Sequence, residues 1–386
     1  MQVIQSVNGT FWHFDLANQL ESMGFLKRIY STFPWFRLQR EGVPRDRVET
    51  FPWIHPTWLA AERYNLVPRW LSREIAVANS RFFDDWVASR IDGCDAFVAV
   101  SGSGLKTGRV VQSRHGKYIC DRGSSHIRYQ ATILADEYAR WGLKGRKPDS
   151  RVLEREEEEY AQADAITVPS EFARRTFVEM RVDGSKVKKI PYGVRLDRFK
   201  KTAEPPSGSF DVLFGGTVSI RKGIPYLLEA FAKLKHPLKR LRLAGPVEPE
   251  MRSLLSRFDM TDVEVLGRQP QAELARLMST SHVMVLPSIE DGFGLVLAQA
   301  MACGTAVIAS ENTGGPDLFS DGVEGFVVPI RSADAICDRL QQLADSPDLL
   351  QSMGELALKR VRSLGGWDYY GSQYAAFLKE LTGGNS

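Results

Sequence analysis

The chain has 386 residues, 43% hydrophobic and 25% charged. That composition excludes disordered, collagen-like and low-complexity classes and, at roughly 150 residues per domain, predicts two compact domains. The formal net charge of +3 is uneven: residues 1–200 hold 32 Lys and Arg against 25 Asp and Glu, and residues 201–386 hold 18 against 22. The first half is therefore the one expected to meet something anionic, such as a phosphate, an acidic glycan or a membrane surface. No helix-turn-helix or RNA-binding pattern accompanies the charge, so nucleic acid is not expected as a partner.

Four cysteines, Cys94, Cys120, Cys303 and Cys337, include no close pair. This argues against a disulfide framework and a structural zinc site and fits a reducing cytoplasm. The longest apolar stretch, 294–309, is broken by Gln299 and Gly304 and falls short of the ~20 residues that cross a bilayer. The first residues lack a basic region followed by an apolar one, so no secretory leader is expected.

In chain order, β-branched and apolar runs predict strands at 2–7, 96–100, 117–120, 165–168 and 187–190, then at 211–214, 241–244, 263–266, 283–286 and 306–309. Helical periodicity predicts helices that include 13–23, 226–234, 272–278, 334–343 and 367–381. This alternation is the rhythm of a parallel sheet wrapped by helices, and it occurs twice. Pro191, Gly193, Pro205, Pro206 and Gly208 mark the break, placing a hinge at about 191–208. The domains expected are 1–200 and 201–366, and the last helix can pack on either. Residues 27–90 carry Trp35, Trp53, Trp58, Trp70 and Trp86 among Phe and Arg residues. Such rings suit core packing, sugar faces or a membrane interface.

Two glycine-rich segments invite a phosphate reading. Ser101-Gly102-Ser103-Gly104-Leu105-Lys106-Thr107-Gly108 follows a predicted strand, but Thr107 stands where a dinucleotide fingerprint requires its third glycine. It reads as a glycine turn feeding a helix. The stronger segment runs from Leu286 to Gly304: a strand ends at Pro287, then come Glu290, Asp291 and the turn Gly292-Phe293-Gly294, and a helix starts near Leu295. The free N–H groups and positive dipole of such a helix start make an anion site that glycines let backbone approach. Glu156 to Glu159 read as a solvated helix face, and Ser170 as a helix N-cap before Glu171.

At this segment the sequence resembles the retaining, nucleotide-sugar-dependent group 1 (family 4) glycosyltransferases of the GT-B fold. Their motif of two glutamates flanking Gly-Phe-Gly falls on Asp291 and Gln299, with Glu290 as an alternative first carboxylate. Three more segments match in order. The loop Gly215-Gly216-Thr217-Val218-Ser219-Ile220-Arg221-Lys222-Gly223 resembles the basic loop that meets the diphosphate. Gly245-Pro246 and Gly267-Arg268 resemble the loops around the nucleobase. The run from Asn312 to Asp317, followed by Asp321 to Gly325, resembles the closing signature that lines the donor pocket. In the first half, Gly9 resembles the turn that approaches the diphosphate, and His126 the histidine that faces the transferred sugar.

The resemblance implies an α/β protein of two Rossmann-like, doubly wound domains facing across a cleft, the first for the acceptor and the second for the donor. It implies a retaining transfer from a nucleotide-diphosphate sugar to a glycan, lipid-linked or small-molecule hydroxyl. Asp291, His126, Lys222 and Arg221 are implied in catalysis. Gly9, Gly216, Arg221, Lys222, Glu290, Gly292, Phe293, Gly294, Leu295, Gln299 and Arg268 are implied in donor binding. No Asp-x-Asp metal pair stands out, so neither a metal nor a cofactor beyond the donor is expected. The location implied is cytoplasmic, with peripheral contact at the inner face of the membrane left open. The departures at Asp291 and Gln299 keep a second reading alive, a non-catalytic nucleotide-sugar or glycan-binding protein of the same fold.

Overall fold

A computed structural model describes residues 1–63, 66–145 and 148–383. Seven strands form the first sheet: β1 (Val3–Val7), β2 (Leu26–Ser31), β3 (Val48–Thr50), β4 (Ala96–Val100), β5 (Lys117–Asp121), β6 (Ala165–Val168) and β7 (Val187–Lys189). Six form the second: β8 (Phe210–Gly215), β9 (Lys239–Ala244), β10 (Val263–Gly267), β11 (Val283–Leu286), β12 (Ala306–Ser310) and β13 (Gly325–Val328). The orders are β3-β2-β1-β4-β5-β6-β7 and β10-β9-β8-β11-β12-β13. Every pairing is parallel. Each sheet is thus doubly wound, and strand order reverses at β1/β4 and at β8/β11, where crevices open beyond the strands' carboxyl ends.

Both sheets are covered on two faces, which is why their strands read as near-continuous apolar runs. Val283, Met284, Val285 and Leu286 of β11 are all fully buried. The strands not expected are β2, β3 and β13. β2 carries the half-buried Lys27 and Arg28, and β3 is a three-residue edge strand pairing only with β2. Neither offers the unbroken apolar run from which a buried strand is read. Region 27–90 also holds a helix of 20 residues, Arg69–Ala88, whose mixed aromatic and charged face hid its period.

Register aligns the loops that matter. Gly215 of β8 pairs with Ala244 of β9, and Ala244 with Gly267 of β10, so the loops after these strands leave one edge together. In the first sheet Val7 pairs with Ser31 and Val100 with Asp121. The carboxyl edges of the two sheets face each other. The chain crosses between lobes after β7, and the helix Trp367–Thr382 returns to the first lobe. There Gly371 lies so close to Gln19 that a Cβ would come within 2.3 Å of its side chain, and the Tyr374 hydroxyl is 3.1 Å from Thr167 Oγ1.

The glycine turn at 101–104 receives a side-chain acceptor of its own. The Glu159 carboxylate accepts from the N–H of Gly102 (2.5 Å), Gly104 (2.9 Å) and Leu105 (3.2 Å). Asp84 caps the same helix through the N–H of Lys106 and Thr107 at 2.8 and 2.9 Å. The glycines serve packing: a Cβ on Gly108 would lie 2.5 Å from the Tyr118 ring. Glu156 and Glu159 are therefore not a solvated face. Both are buried, and burial pushes Glu159 up to about 8 against the opposing pull of Arg155 and the Gly104 and Gly102 amides. Removing the acceptor strands several buried donors at 1–3 kcal/mol each. Glu159→Ala is accordingly expected to destabilise the protein by about 3 kcal/mol in urea unfolding. A change below about 0.5 kcal/mol would count against this role.

Candidate functional site

The second lobe's switch point is built from the loops after β8 and β11. Gly223, at φ +69°, approaches Pro287 so closely that a Cβ would lie 2.0 Å from its carbonyl oxygen. The Ile289 N–H donates to the Arg221 carbonyl at 2.9 Å. This contact places two ion pairs side by side: Lys222 with Asp291, and Arg221 Nε with Glu290 Oε2 at 2.8 Å. Gly294, at φ +74°, turns the chain into the helix Leu295–Ala302, whose first N–H groups have no intrahelical partner. A lysine, an arginine and a helix start thus converge on one crevice, an arrangement suited to a diphosphate.

The run 312–315 buttresses these loops from behind. Asn312 Nδ2 donates to the Ile289 carbonyl at 3.0 Å, the Asp291 N–H to the Asn312 carbonyl at 3.0 Å, and the Gly314 N–H to the Phe293 carbonyl at 2.8 Å. The Gly216 N–H, at the end of β8, donates to the Ala244 carbonyl at 3.0 Å. A Cβ on Gly245 would lie 1.7 Å from the Gly216 oxygen, so Gly245 requires glycine for close loop packing, whereas Gly216, at φ +139°, requires it for its backbone conformation.

A cavity of about 180 Å³ lies beside the helix start, lined by Leu295, Gln299, Gln271, Arg195, Arg198, Asp15 and Trp367 among others. Arg195, Arg198 and Gln271 were not expected as site residues. Arg195 pairs with Asp15 across to the first lobe, and both arginines sit in the linker, where sequence pattern indicates only a turn. Small-molecule sites usually start near ~300 Å³, so the cavity as it stands is smaller than such a site. A larger groove of about 580 Å³, lined by Lys201, His282, Gly304 and Leu358 among others, lies at the amino-terminal edge of the second sheet. No switch-point loop reaches it, and position rather than size decides between them.

Several expected residues lie elsewhere. His126 does not face the cleft. It caps the helix Ile127–Arg140, its Nδ1 accepting from the Arg128 N–H at 3.2 Å, with its ring 5.0 Å from those of Tyr160 and Phe177. Burial lowers its pKa to about 4, so it is a neutral packing group at physiological pH. The turn after β5 aims Ser124 and Ser125 at the second lobe in its place. Phe293 is buried and meets Tyr192 at 5.4 Å, supporting the turn rather than lining the cavity. Arg268 stands exposed after β10. Gly9, at φ +92°, is tied to the end of β2 by its N–H to Thr32 Oγ1 (2.9 Å) and by Ser31 Oγ to its carbonyl (2.6 Å).

Glu290, expected as an alternative donor carboxylate, is turned away from the crevice and fully buried. Its Oε1 accepts from Ser124 Oγ (2.7 Å), Ser125 Oγ (2.7 Å) and the Ser125 N–H (3.2 Å), and its Oε2 from Gln130 Nε2 (2.8 Å). Burial raises its pKa, but Arg221 and these donors outweigh burial and hold it near 2. A carboxylate depressed from its usual 4.5 stabilises the folded state fully above that pH, and the contribution is lost as pH falls toward 2. Among the described residues no cluster of three or more His, Cys, Asp or Glu side chains could hold a metal ion. No helix of the described residues is long and apolar enough to cross a membrane.

Two doubly wound lobes with their carboxyl edges apposed define the GT-B class of fold. The chain is similar over its full length to a sucrose-phosphate synthase from Thermosynechococcus elongatus (TM-score 0.73, 21% identity, all of both chains covered). It is also similar to Anabaena HepE solved in complex with UDP (TM-score 0.68, 15% identity, 98% of this chain and 100% of that one). Residues 197–360 match the family of group 1 glycosyl transferases. A D-inositol 3-phosphate glycosyltransferase of Streptomyces scabiei is 32% identical over 246 residues, 58% of this chain and 55% of that protein. The chain thus spans about half the length of such curated relatives.

Proposed function

We propose that this protein transfers a sugar from a nucleotide-diphosphate donor to a hydroxyl of a glycan, lipid-linked or small-molecule acceptor, with retained anomeric configuration. The observation that carries this reading is the convergence of Lys222, Arg221 and the helix start at Gly294 on one crevice at the switch point. Cleavage of the anomeric bond leaves negative charge on the β-phosphate, and preorganised cations and N–H groups stabilise that charge without reorganising. Asp291, paired with Lys222, holds the lysine in place, and Gln299 offers the donor's ribose an amide in the cavity lined by Arg195 and Arg198. The departing phosphate then takes the acceptor's proton on the face it leaves. Inverted configuration in the product, read by NMR, would overturn that step. A relative's UDP complex makes uridine nucleotides the first to try.

The test is a panel of nucleotide sugars, with binding followed by calorimetry and slow release of free nucleotide followed by chromatography. Hydrolysis supports the enzyme, binding without release supports a non-catalytic module, and no binding of any uridine, guanosine, adenosine or thymidine diphosphate overturns both. Gln299→Glu is expected to keep or raise nucleotide affinity. A tenfold loss would remove Gln299 from the donor site.

We also propose peripheral contact of the first lobe with an anionic membrane at the cytoplasmic face. Phe36, Trp53, Leu66 and Trp70 are each about two-thirds exposed or more. Their segments are joined by a stack of Phe33 on His55 (5.3 Å) and His55 on Trp58 (5.9 Å), with Trp58 Nε1 donating to Ser72 Oγ at 2.9 Å. Arg37 lies over Phe33. Aromatic rings beside arginines suit a headgroup layer. Flotation with anionic liposomes is expected to weaken from 50 to 500 mM salt, and an absence of binding at both would remove the contact.

A further inference from the structure

Four of the five hydrogen bonds to the Glu290 carboxylate come from the first lobe, and the fifth comes from Arg221 of the donor loop. The first-lobe donors are themselves fixed. Arg122 Nη2 donates to Gln130 Oε1 at 3.1 Å, which leaves the Gln130 amide nitrogen to donate to Glu290 and to Ser124 Oγ (3.0 Å). Arg122 also holds the Ser125 carbonyl through Nε at 3.0 Å and Glu156 through Nη1 at 2.7 Å. On the other side Arg221 uses Nε for Glu290 and Nη2 for Ser124 Oγ at 3.3 Å, while its Nη1 makes no hydrogen bond among the described residues. Parting the lobes would remove four donors from Glu290 and the Ser124 Oγ acceptor from Arg221 Nη2.

We propose that Glu290 is a positioning residue that couples lobe closure to the aim of Arg221: the first lobe orders the carboxylate, and the carboxylate orders the guanidinium beside Lys222. This rests on the donor-site reading above. Donor binding to the open second lobe does not need the coupling, whereas charge stabilisation in the closed state does. Other contacts between lobes, such as Glu137 with Arg331 (2.6 Å) and Lys189 with Asp317 (2.7 Å), lie away from Arg221 and cannot aim it.

The experiment is a double-mutant cycle of Ser125→Ala and Glu290→Gln, with UDP affinity by calorimetry and turnover of the nucleotide sugar that the panel identifies. Ser125 touches no donor loop except through Glu290, and its substitution keeps the backbone donor, so it reports even where Glu290→Gln folds poorly. Each variant is expected to lower kcat about tenfold with UDP affinity within threefold, and the pair to lose little more than either alone. Additive losses, or affinity losses as large as the kcat losses, would overturn the coupling. Small-angle scattering of the nucleotide-free double variant separates this from the function itself. A larger radius of gyration than the wild type supports the coupling even where no nucleotide binds, in which case the donor reading alone fails. An unchanged radius overturns the coupling whatever the activity.

Discussion

Replacing Lys222 by alanine is expected to lower turnover by about 10²-fold, the usual cost of removing one preorganised donor from a site of developing charge. The ammonium is tied to Asp291 in a partly buried pair. Its loss therefore removes a cation from the crevice and leaves the carboxylate uncompensated there. Both effects oppose negative charge on a leaving diphosphate. The ground state shares part of that charge, so UDP affinity should fall as well, but by less than turnover. Steady-state kinetics beside calorimetry separate the two. Unchanged kcat would remove Lys222 from the leaving-group site, and an equal loss in both would make it a ground-state ligand only.

The second large effect is expected from Gly292→Ala. A methyl at this position would lie 2.0 Å from the Gly123 carbonyl oxygen and 2.6 Å from the Ser124 Cα. Both obstacles are backbone, so no side chain can swing aside and the lobes must separate. The Gly292 carbonyl would also withdraw from Ser170 Oγ, which now donates to it at 2.6 Å. A displacement of ~1 Å at a reacting centre can cost 10²-fold. Turnover should therefore fall by about 10²-fold or more, with UDP affinity held within a few-fold because the donor loops themselves are intact. Wild-type turnover in this variant would mean that chemistry does not require the apposition of Gly292 and Gly123.

Much of the second lobe's charged crevice was legible along the chain because its determinants are local. A glycine with positive φ, a cation next to it and a helix start after a buried strand are all read within ten residues, as at Gly223, Lys222 and Gly294. Ser170 was likewise readable as a cap, and its Oγ accepts from the Ala173 N–H at 3.1 Å. Glu156 and Glu159 misled because four consecutive glutamates look solvated, and only the approach of the 101–104 turn brings buried N–H groups to one of them. His126 misled in the same manner. Its place after a strand is local, but the direction of its ring depends on Tyr160 and Phe177, more than thirty residues away.

The sequence by itself determined two successive sets of alternating strands and helices and the loops that carry charge after the strands, since β-branched runs, helical periods and glycine turns act over short range. Only the tertiary structure decided which of two adjacent acids, Glu290 or Asp291, stays with the donor loops and which reaches across. Neighbouring side chains leave the backbone in different directions. The partners that select between them, Ser124, Ser125 and Gln130, stand 160 or more residues away and meet Glu290 across the boundary between the lobes.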